Sequence, residues 1–344
     1  MSKFFLKGLF LFMISAVFLL AACNDSGVAG NDDDHINIKL SFNLDTDSSH
    51  GEASQLFKER VEELSDGKIN VDLFPNQQLG DMRSQIEQVQ SGTLEMTLQG
   101  TSTLSNFAQP LEILELPFLF PNEEVAWEVL SGEVGKEILS EFENKNLVGL
   151  SYFSQGFRQI TANQPIHSPE DLESLQIRTM PSKLLLDTWE NWGANTVSMD
   201  LGELYNGLQQ GIVEAEDNSY ETIRNMSLYE VQDHLTISNH NYLPFAFVAN
   251  KNWYDGLSPE FQNIVKEAAL EAGEFSVDYI RDLEKEAMEV FNEELIVYEL
   301  TEKEIEVFRE YSEPIYEKYS ENKKNKDYID KLVEAVEGAT SDSS

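Results

Sequence analysis

The chain has 344 residues, 41% of them hydrophobic, and carries 24 Lys and Arg against 62 Asp and Glu for a formal charge of −38. That length and apolar content suffice for a sizeable core and predict about two domains, while so negative a surface repels nucleic acid and anionic headgroups. The single cysteine, Cys23, excludes a disulfide framework, a CxxC metal site and a redox pair.

Residues 1–22 read as an export signal. Lys3 and Lys7 precede an apolar run from Leu9 to Leu20, too short to span a bilayer of about 30 Å comfortably, and Ala21-Ala22 place small residues directly before Cys23. Leu20-Ala21-Ala22-Cys23 resembles the lipobox of bacterial lipoproteins, which implies acylation of Cys23 and cleavage before it. Two or three acyl chains anchor stably where one is marginal. Cleavage removes both lysines and leaves 22 basic against 62 acidic side chains, a mature charge of −40. Residues 23–35 then form a small, polar tether. Asp32-Asp33-Asp34-His35 reads as solvated linker, because its spacing imposes no coordination shell.

From Ile36 strands and helices alternate. Ile36 to Leu40 has a period of two, and Leu56, Phe57, Val61 and Leu64 share one helical face before Gly67. Ile69, Val71 and Leu73 alternate again, a helix follows from Met82 to Gln90, and Leu94 to Leu98 is a third strand. This is the signature of an α/β fold with a largely parallel sheet. A second such series lies between about 156 and 243. Ser168-Pro169-Glu170-Asp171 begins a helix, Leu175 to Arg178 is a short strand, and helices run from Leu184 to Trp192 and from Glu203 to Gln210. Ile212 to Glu216 is the next strand. After Ser258-Pro259, residues 260–294 form one long helix that packs across two lobes, and Thr301-Glu302-Lys303-Glu304 starts another with a capping box. Residues 337–344 read as a flexible tail.

Catalytic patterns are missing. His35, His50, His167, His234 and His240 form neither HExxH nor an i,i+4 pair, and no P-loop, GxGxxG or GxSxG occurs. No enzyme activity, metal or cofactor is therefore expected. The seven arginines are more informative. Arg60 and Arg281 lie among acids on helices and read as solvated ion pairs. Arg178 ends an apolar strand, and ligands of open α/β sheets bind beyond the carboxyl ends of strands. A guanidinium there can take a carboxylate bidentately. Arg158 lies at the crossing between lobes, where it is either a second anion contact or an interdomain salt bridge.

Gly156-Phe157-Arg158, Ala162 to Ile166, Leu175 to Arg178, Trp192 to Asn195, Gly202 to Glu214 and Asp217-Asn218, with Phe74 to Gly80 and Leu116 to Phe120 upstream, resemble the solute-binding proteins of tripartite ATP-independent periplasmic (TRAP) transporters, the DctP type. The resemblance spans nearly all of 36–335. It implies a two-lobed, periplasmic-binding-protein-like α/β fold of type II character, bridged by the long helix. Lobe 1 would take 36–155 plus 244–283 and lobe 2 would take 156–243 plus 284–336, with hinges near 155 and 243. By position, Arg178 should hold the ligand carboxylate, Arg158 should assist, and Asn218 should hydrogen-bond the same group. Asn43 and Thr101 fall at first-lobe lining positions, and Tyr242 joins them from the run Ser238 to Tyr242. Met82, Gly100 and Leu201 stand where sialic-acid receptors of the family place polar contacts, so sialic acid is not expected. The implied role is delivery of a small organic acid anion to the small and large TRAP permease subunits. A C4-dicarboxylate leads as ligand, with uronic or other sugar acids open, and a sensing lipoprotein for a signalling kinase is the other role. A monomer is expected, bound to no nucleic acid, exported and lipid-anchored on the outer face of the bacterial cytoplasmic membrane.

Overall fold

Each half of the chain begins by pairing strands in parallel around a crossover helix, in a computed structural model that describes residues 35–342. The export signal, Cys23 and the tether to residue 34 lie outside the described residues. In the first half, β1 (Ile36–Ser41) pairs with β2 (Ile69–Phe74) across α1 (Ser49–Leu64), whose N-cap Ser48 accepts from the Gly51 N–H. α2 (Met82–Ser91) is capped by Asp81 and ends at Gly92, whose φ of 81° suits a residue without Cβ. β3 (Met96–Gly100) lies on the other side of β1. A single turn, α3 (Thr101–Leu104), is followed by α4 (Glu123–Ser131) and α5 (Glu133–Leu139). β4 (Leu147–Ala162) then carries the chain into the second half.

There, β5 (Gln176–Thr179), α6 (Lys183–Asn191), β6 (Asn195–Ser198), α7 (Leu201–Gln209), β7 (Ala215–Ser219) and α8 (Tyr220–Asn225) repeat the pattern, and β8 (His234–Ile237) pairs with β4. The helix expected at Ser168 is a single 3₁₀ turn, Pro169–Leu172, although its capping box is present. β7 starts at Ala215, not Ile212: Gly211 turns the chain at φ 68° and Ile212 is half exposed. Asn218 thus sits inside the strand.

β9 (Tyr242–Asn250) returns to the first half. The sheet runs β2-β1-β3-β9-β4-β7-β5-β6, with β8 also on β4 and β10 (Ile296–Glu299) on β8. It is mixed and not largely parallel. The flanks pair in parallel, whereas β3–β9, β9–β4, β4–β7 and β4–β8 are antiparallel. The reason is topological: the chain crosses out along β4 and back along β9. Between Ser154 and Phe157 the β4–β9 register shifts, with Gly156 at φ 74°.

After the short α9 (Lys251–Gly256), α10 (Pro259–Glu294) is a single helix of 36 residues, about 54 Å long. It packs on α1 and β4 and then on α8, so it touches elements of both halves as expected. Gly273 permits the contact with β4: a Cβ there would lie 2.3 Å from the Tyr152 carbonyl oxygen. The Ser154 N–H donates to Ser276 Oγ at 2.8 Å one turn on. Arg60 is not merely a solvated pair. Besides Glu63 it grips Glu271 of α10 with Nε and Nη2, tying α1 to the long helix.

α11 (Glu302–Ser320) has the predicted Thr301–Glu304 capping box and packs on α6. α12 (Lys323–Asp342) corrects two expectations. It packs on α4 and α5 in the first half, although 284–336 was expected with lobe 2, and it stays helical from 337 to Asp342, where a tail was expected. Tyr328, Ile329, Leu332 and Ala339 are buried, and this apolar face holds the last turns down despite Gly338. A separate second-half core gathers Ile160, Ile177, Trp189, Trp192 and Phe308.

Candidate ligand site

A cavity partly open to solvent, with about 310 Å³ of empty space when its open part is counted, lies where the two halves meet. Its polar lining is Asn43, His50, Arg178, Asn218 and Thr222, and its apolar lining is Leu44, Met82, Met180, Leu201, Leu243 and Phe245. Three of the predicted residues, Arg178, Asn218 and Asn43, therefore line one cavity, and two of the noted departures, Met82 and Leu201, line it too. Gly100 abuts it: a Cβ there would sit 3.3 Å from Met180 Cε and from Phe245 Cε2.

Strand register sets the chemistry of the second-half wall. Arg178 pairs with Glu216 across parallel β5 and β7, and Asn218 follows two residues on, so all three share a face. Arg158 pairs with Ser219 across antiparallel β4 and β7, which puts Asp217 diagonally beside it on the opposite face.

The two guanidiniums consequently differ. Arg158 is fully buried and donates from Nε to Asp217 Oδ2, from Nη2 to the Asp217 carbonyl at 2.8 Å, and from Nη1 to Met180 Sδ at 3.3 Å. Burial, the largest single effect, lowers its pKa, but the charge and hydrogen bond of Asp217 together with the charges of Glu115 and Glu216 outweigh it and the net shift is upward. Burial likewise works to raise Asp217, yet Arg158 and His240 hold it well below the carboxylate range. His240 braces the pair, with Nε2 at 3.3 Å from Asp217 Oδ2 and Nδ1 at 2.7 Å from Ser238 Oγ.

Arg178 is equally buried, but only its Nε is engaged, donating to the Met199 carbonyl at 3.0 Å. Nη1 and Nη2 have no hydrogen-bond partner among the described residues. Burial, and then the nearby charge of Arg158, lower its pKa to about 10, which leaves it cationic at neutral pH. Glu216 does not close the gap: its oxygens accept from Thr161 Oγ1 at 2.7 Å and Asn218 Nδ2 at 2.5 Å. Burial pushes the Glu216 carboxyl up to about 7. The site thus holds one desolvated cation with two aligned donors free, which is the requirement for bidentate capture of a carboxylate.

The remaining predicted residues fall elsewhere. Asn43 lines the cavity, but its amide is held by Gln99 at 3.0 Å and 3.3 Å. Thr101 is not a lining residue; its hydroxyl lies 2.6 Å from Glu115 Oε1 and 3.0 Å from the Pro244 carbonyl oxygen, sharing its one proton between them. Tyr242 is also off the wall, its hydroxyl bonded to Ser154 Oγ at 2.7 Å beside the register shift. Both support the crossing between halves and stand behind the cavity. Sequence reasoning missed His50, Met180, Thr222 and Phe245, and it missed Asp217 as the partner of Arg158. That pairing depends on β4–β7 register, which no local pattern encodes.

Two halves sharing a sheet, a helix across both and a cavity at their junction define a two-lobed solute-binding fold. Residues 41–322 match the family described as bacterial extracellular solute-binding protein, family 7 (DctP), and the chain belongs to it. It is 31% identical to the C4-dicarboxylate-binding protein DctB of Bacillus subtilis (strain 168) over 289 residues, 83% of each chain. Among solved structures, the sugar acid binding protein DctPAm from Advenella mimigardefordensis strain DPN7T, in complex with galactonate, is 34% identical with a TM-score of 0.84, covering 88% of this chain and 98% of that one. A TRAP periplasmic solute binding protein from Desulfovibrio salexigens with bound orotic acid is 26% identical with a TM-score of 0.85, covering 88% and 99%.

Proposed function

We propose that this protein is the extracytoplasmic receptor of a TRAP transporter and that it binds a small organic acid through the carboxylate, which Arg178 holds from the second half while Asn218 flanks it. The observation that carries the reading is the buried Arg178 fork, with Nη1 and Nη2 unpartnered among the described residues, at the cavity between the halves. An unpaired buried cation is costly, and an anionic ligand removes the cost. Arg158 acts one layer back: it pairs with Asp217 on the opposite face and supports β7, which carries Asn218. The relatives with bound galactonate and orotic acid support an organic acid, as both ligands are carboxylates. The narrower expectation of a C4-dicarboxylate rests on sequence resemblance and on relatives such as that of Bacillus subtilis. The cavity itself supplies one cationic side chain and hence one carboxylate anchor.

The receptor opens and closes about the crossings near Gly156 and Tyr242, which admits the ligand and presents a closed form to the permease subunits. Cys23 carries the lipid anchor on the outer face of the cytoplasmic membrane. Two measurements test the reading. At least one acid in a thermal-shift panel of small organic acids should stabilise the wild type, and Arg178→Ala should abolish that response; a folded Arg178→Ala protein that responds like wild type overturns the anchor. Cys23→Ser should release the protein from membranes, and unchanged membrane association without lipid by mass spectrometry overturns the lipoprotein assignment.

A further inference from the structure

His50 belongs to the first turn of α1 and lines the cavity from the first half, facing no charged partner. Its surroundings fix how it can bond. The Glu221 carboxylate accepts from the Ser49 N–H, the Ser49 hydroxyl and Gln155 Nε2, the last at 2.5 Å. Gln155 turns its NH₂ group to Glu221 and its carbonyl oxygen to His50 Nε2. That oxygen only accepts, and His50 therefore carries its proton on Nε2. The ring is neutral, its pKa driven down to about 3 by burial against a smaller opposing effect of Gln155. Nδ1 is left with a bare lone pair, and this buried atom has no hydrogen-bond partner among the described residues.

The cavity thus offers two unmet demands of opposite kind: the donors of Arg178 and the acceptor of His50. The other polar lining is largely satisfied. Asn43 is held by Gln99, and Thr222 Oγ1 lies 3.1 Å from Ser219 Oγ. Leu44, Met82, Met180, Leu201, Leu243 and Phe245 supply the rest of the surface. On the basis of the receptor reading above, we infer that the ligand is a short hydroxy-monocarboxylate with an otherwise apolar body, its carboxylate on the Arg178 fork and its hydroxyl donated to His50 Nδ1.

Each neighbouring ligand class fails on a named atom. A keto acid presents an acceptor to an acceptor at His50. A second carboxylate finds no second cation on the wall, and an unpaired buried charge is strongly disfavoured. A polyol acid brings several hydroxyls against thioether and hydrocarbon, where their donors go unpaired. His50 is on this account a specificity-determining contact, since a site built around a ligand hydroxyl discriminates against the analogue that lacks it.

Calorimetry on the full chain in detergent decides it, with 2-hydroxyisovalerate, 3-hydroxybutyrate, isovalerate, butyrate, 2-oxoisovalerate, acetoacetate, succinate and galactonate as probes. At least one hydroxy acid should bind at least about tenfold more tightly than its deoxy and oxo counterparts, and more tightly than succinate or galactonate. His50→Phe keeps a ring but removes the acceptor; it should abolish the preference and bring the hydroxy acid to the level of its deoxy counterpart on the same variant. The wild-type comparison stands even where that variant folds poorly. Deoxy or oxo acids that bind as tightly as the hydroxy acids, or succinate or galactonate binding tightest, overturn the inference and leave the receptor reading intact. Absence of binding across the whole panel, succinate and galactonate included, overturns both.

Discussion

Arg158 and Arg178 stand twenty residues apart, emerge from strands of one sheet and are both fully buried, yet one is saturated and the other is open. The difference lies in what β7 places beside each. On the Arg158 face β7 presents Asp217, braced by His240, and the guanidinium closes on it. On the Arg178 face it presents Glu216, whose oxygens Thr161 and Asn218 already occupy. Two adjacent acids of one strand, pointing to opposite faces, thus divide the second half into a structural ion pair and a receptive cation. Burial and residue type alone do not separate a binding arginine from a structural one; the engagement of the nearest carboxylate does.

The largest effect tests the closed member of this comparison. Arg158→Met should destabilise the ligand-free protein by about 3–5 kcal/mol in urea unfolding, because it strands Asp217 in a dry interior. Arg158→Met with Asp217→Leu should recover much of the loss, since the uncompensated charge goes too. A single variant within about 1 kcal/mol of wild type would mean that the pair is not the structural unit described.

The open member should behave in the reverse way. Arg178→Ala should weaken binding of the ligand acid by at least about a hundredfold, while the free protein keeps its unfolding midpoint or gains slightly, because no protein carboxylate loses its partner. Arg178→Lys retains charge without the planar fork and should recover only part of the affinity. Free-protein destabilisation as large as that of Arg158→Met would erase the distinction between the two sites.

Much of this was legible in the sequence, for physical reasons that can be named. The amphipathic run, the Ser258-Pro259 start and the Thr301–Glu304 box predicted α10 and the beginning of α11, because caps and helical periodicity are local. β9 was not legible. All nine of its residues are buried, so its apolar run shows no alternation. β4, likewise buried over most of its length, and its pairing with β9 made the sheet mixed and not largely parallel. The α12 helix was hidden by Gly338 and by the ordinary fraying of chain ends. At the site, Arg178 and Asn218 were found through strand ends and family resemblance. His50 was not, because its role depends on Gln155 and Glu221, far away in the sequence.

The smallest effect concerns the two acids that create the difference between the arginines. Burial raises Glu216 from an ordinary 4.5 to about 7, whereas Asp217 is held below its ordinary 3.8 by Arg158 and His240 against the burial that would raise it. A carboxyl raised in the folded state favours folding fully only below its unfolded pKa, and that contribution disappears as pH rises through about 7. Asp217 contributes in the opposite sense: its stabilisation is present above about 4 and is lost only on stronger acidification. Between pH 5 and pH 8, at roughly the limits set by these two shifts, Glu216 titrates and Asp217 does not. Glu284, beside the β4 crossing, is also pushed by burial to about 7 and adds to the same trend. These two carboxyls should make stability in urea fall as pH rises across that window, most plainly above about 6.5, because the buried His50 and His240, both lowered by burial, act in the opposite sense below it. Glu216→Gln, an isostere that cannot ionise, should remove about 1–3 kcal/mol of the fall, and adding Glu284→Gln should flatten it further. A Glu216→Gln protein with the full wild-type slope would mean that Glu216 is ionised throughout; it would then act as a counter-charge to Arg178, and the contrast between the two guanidiniums would have to be sought in geometry alone.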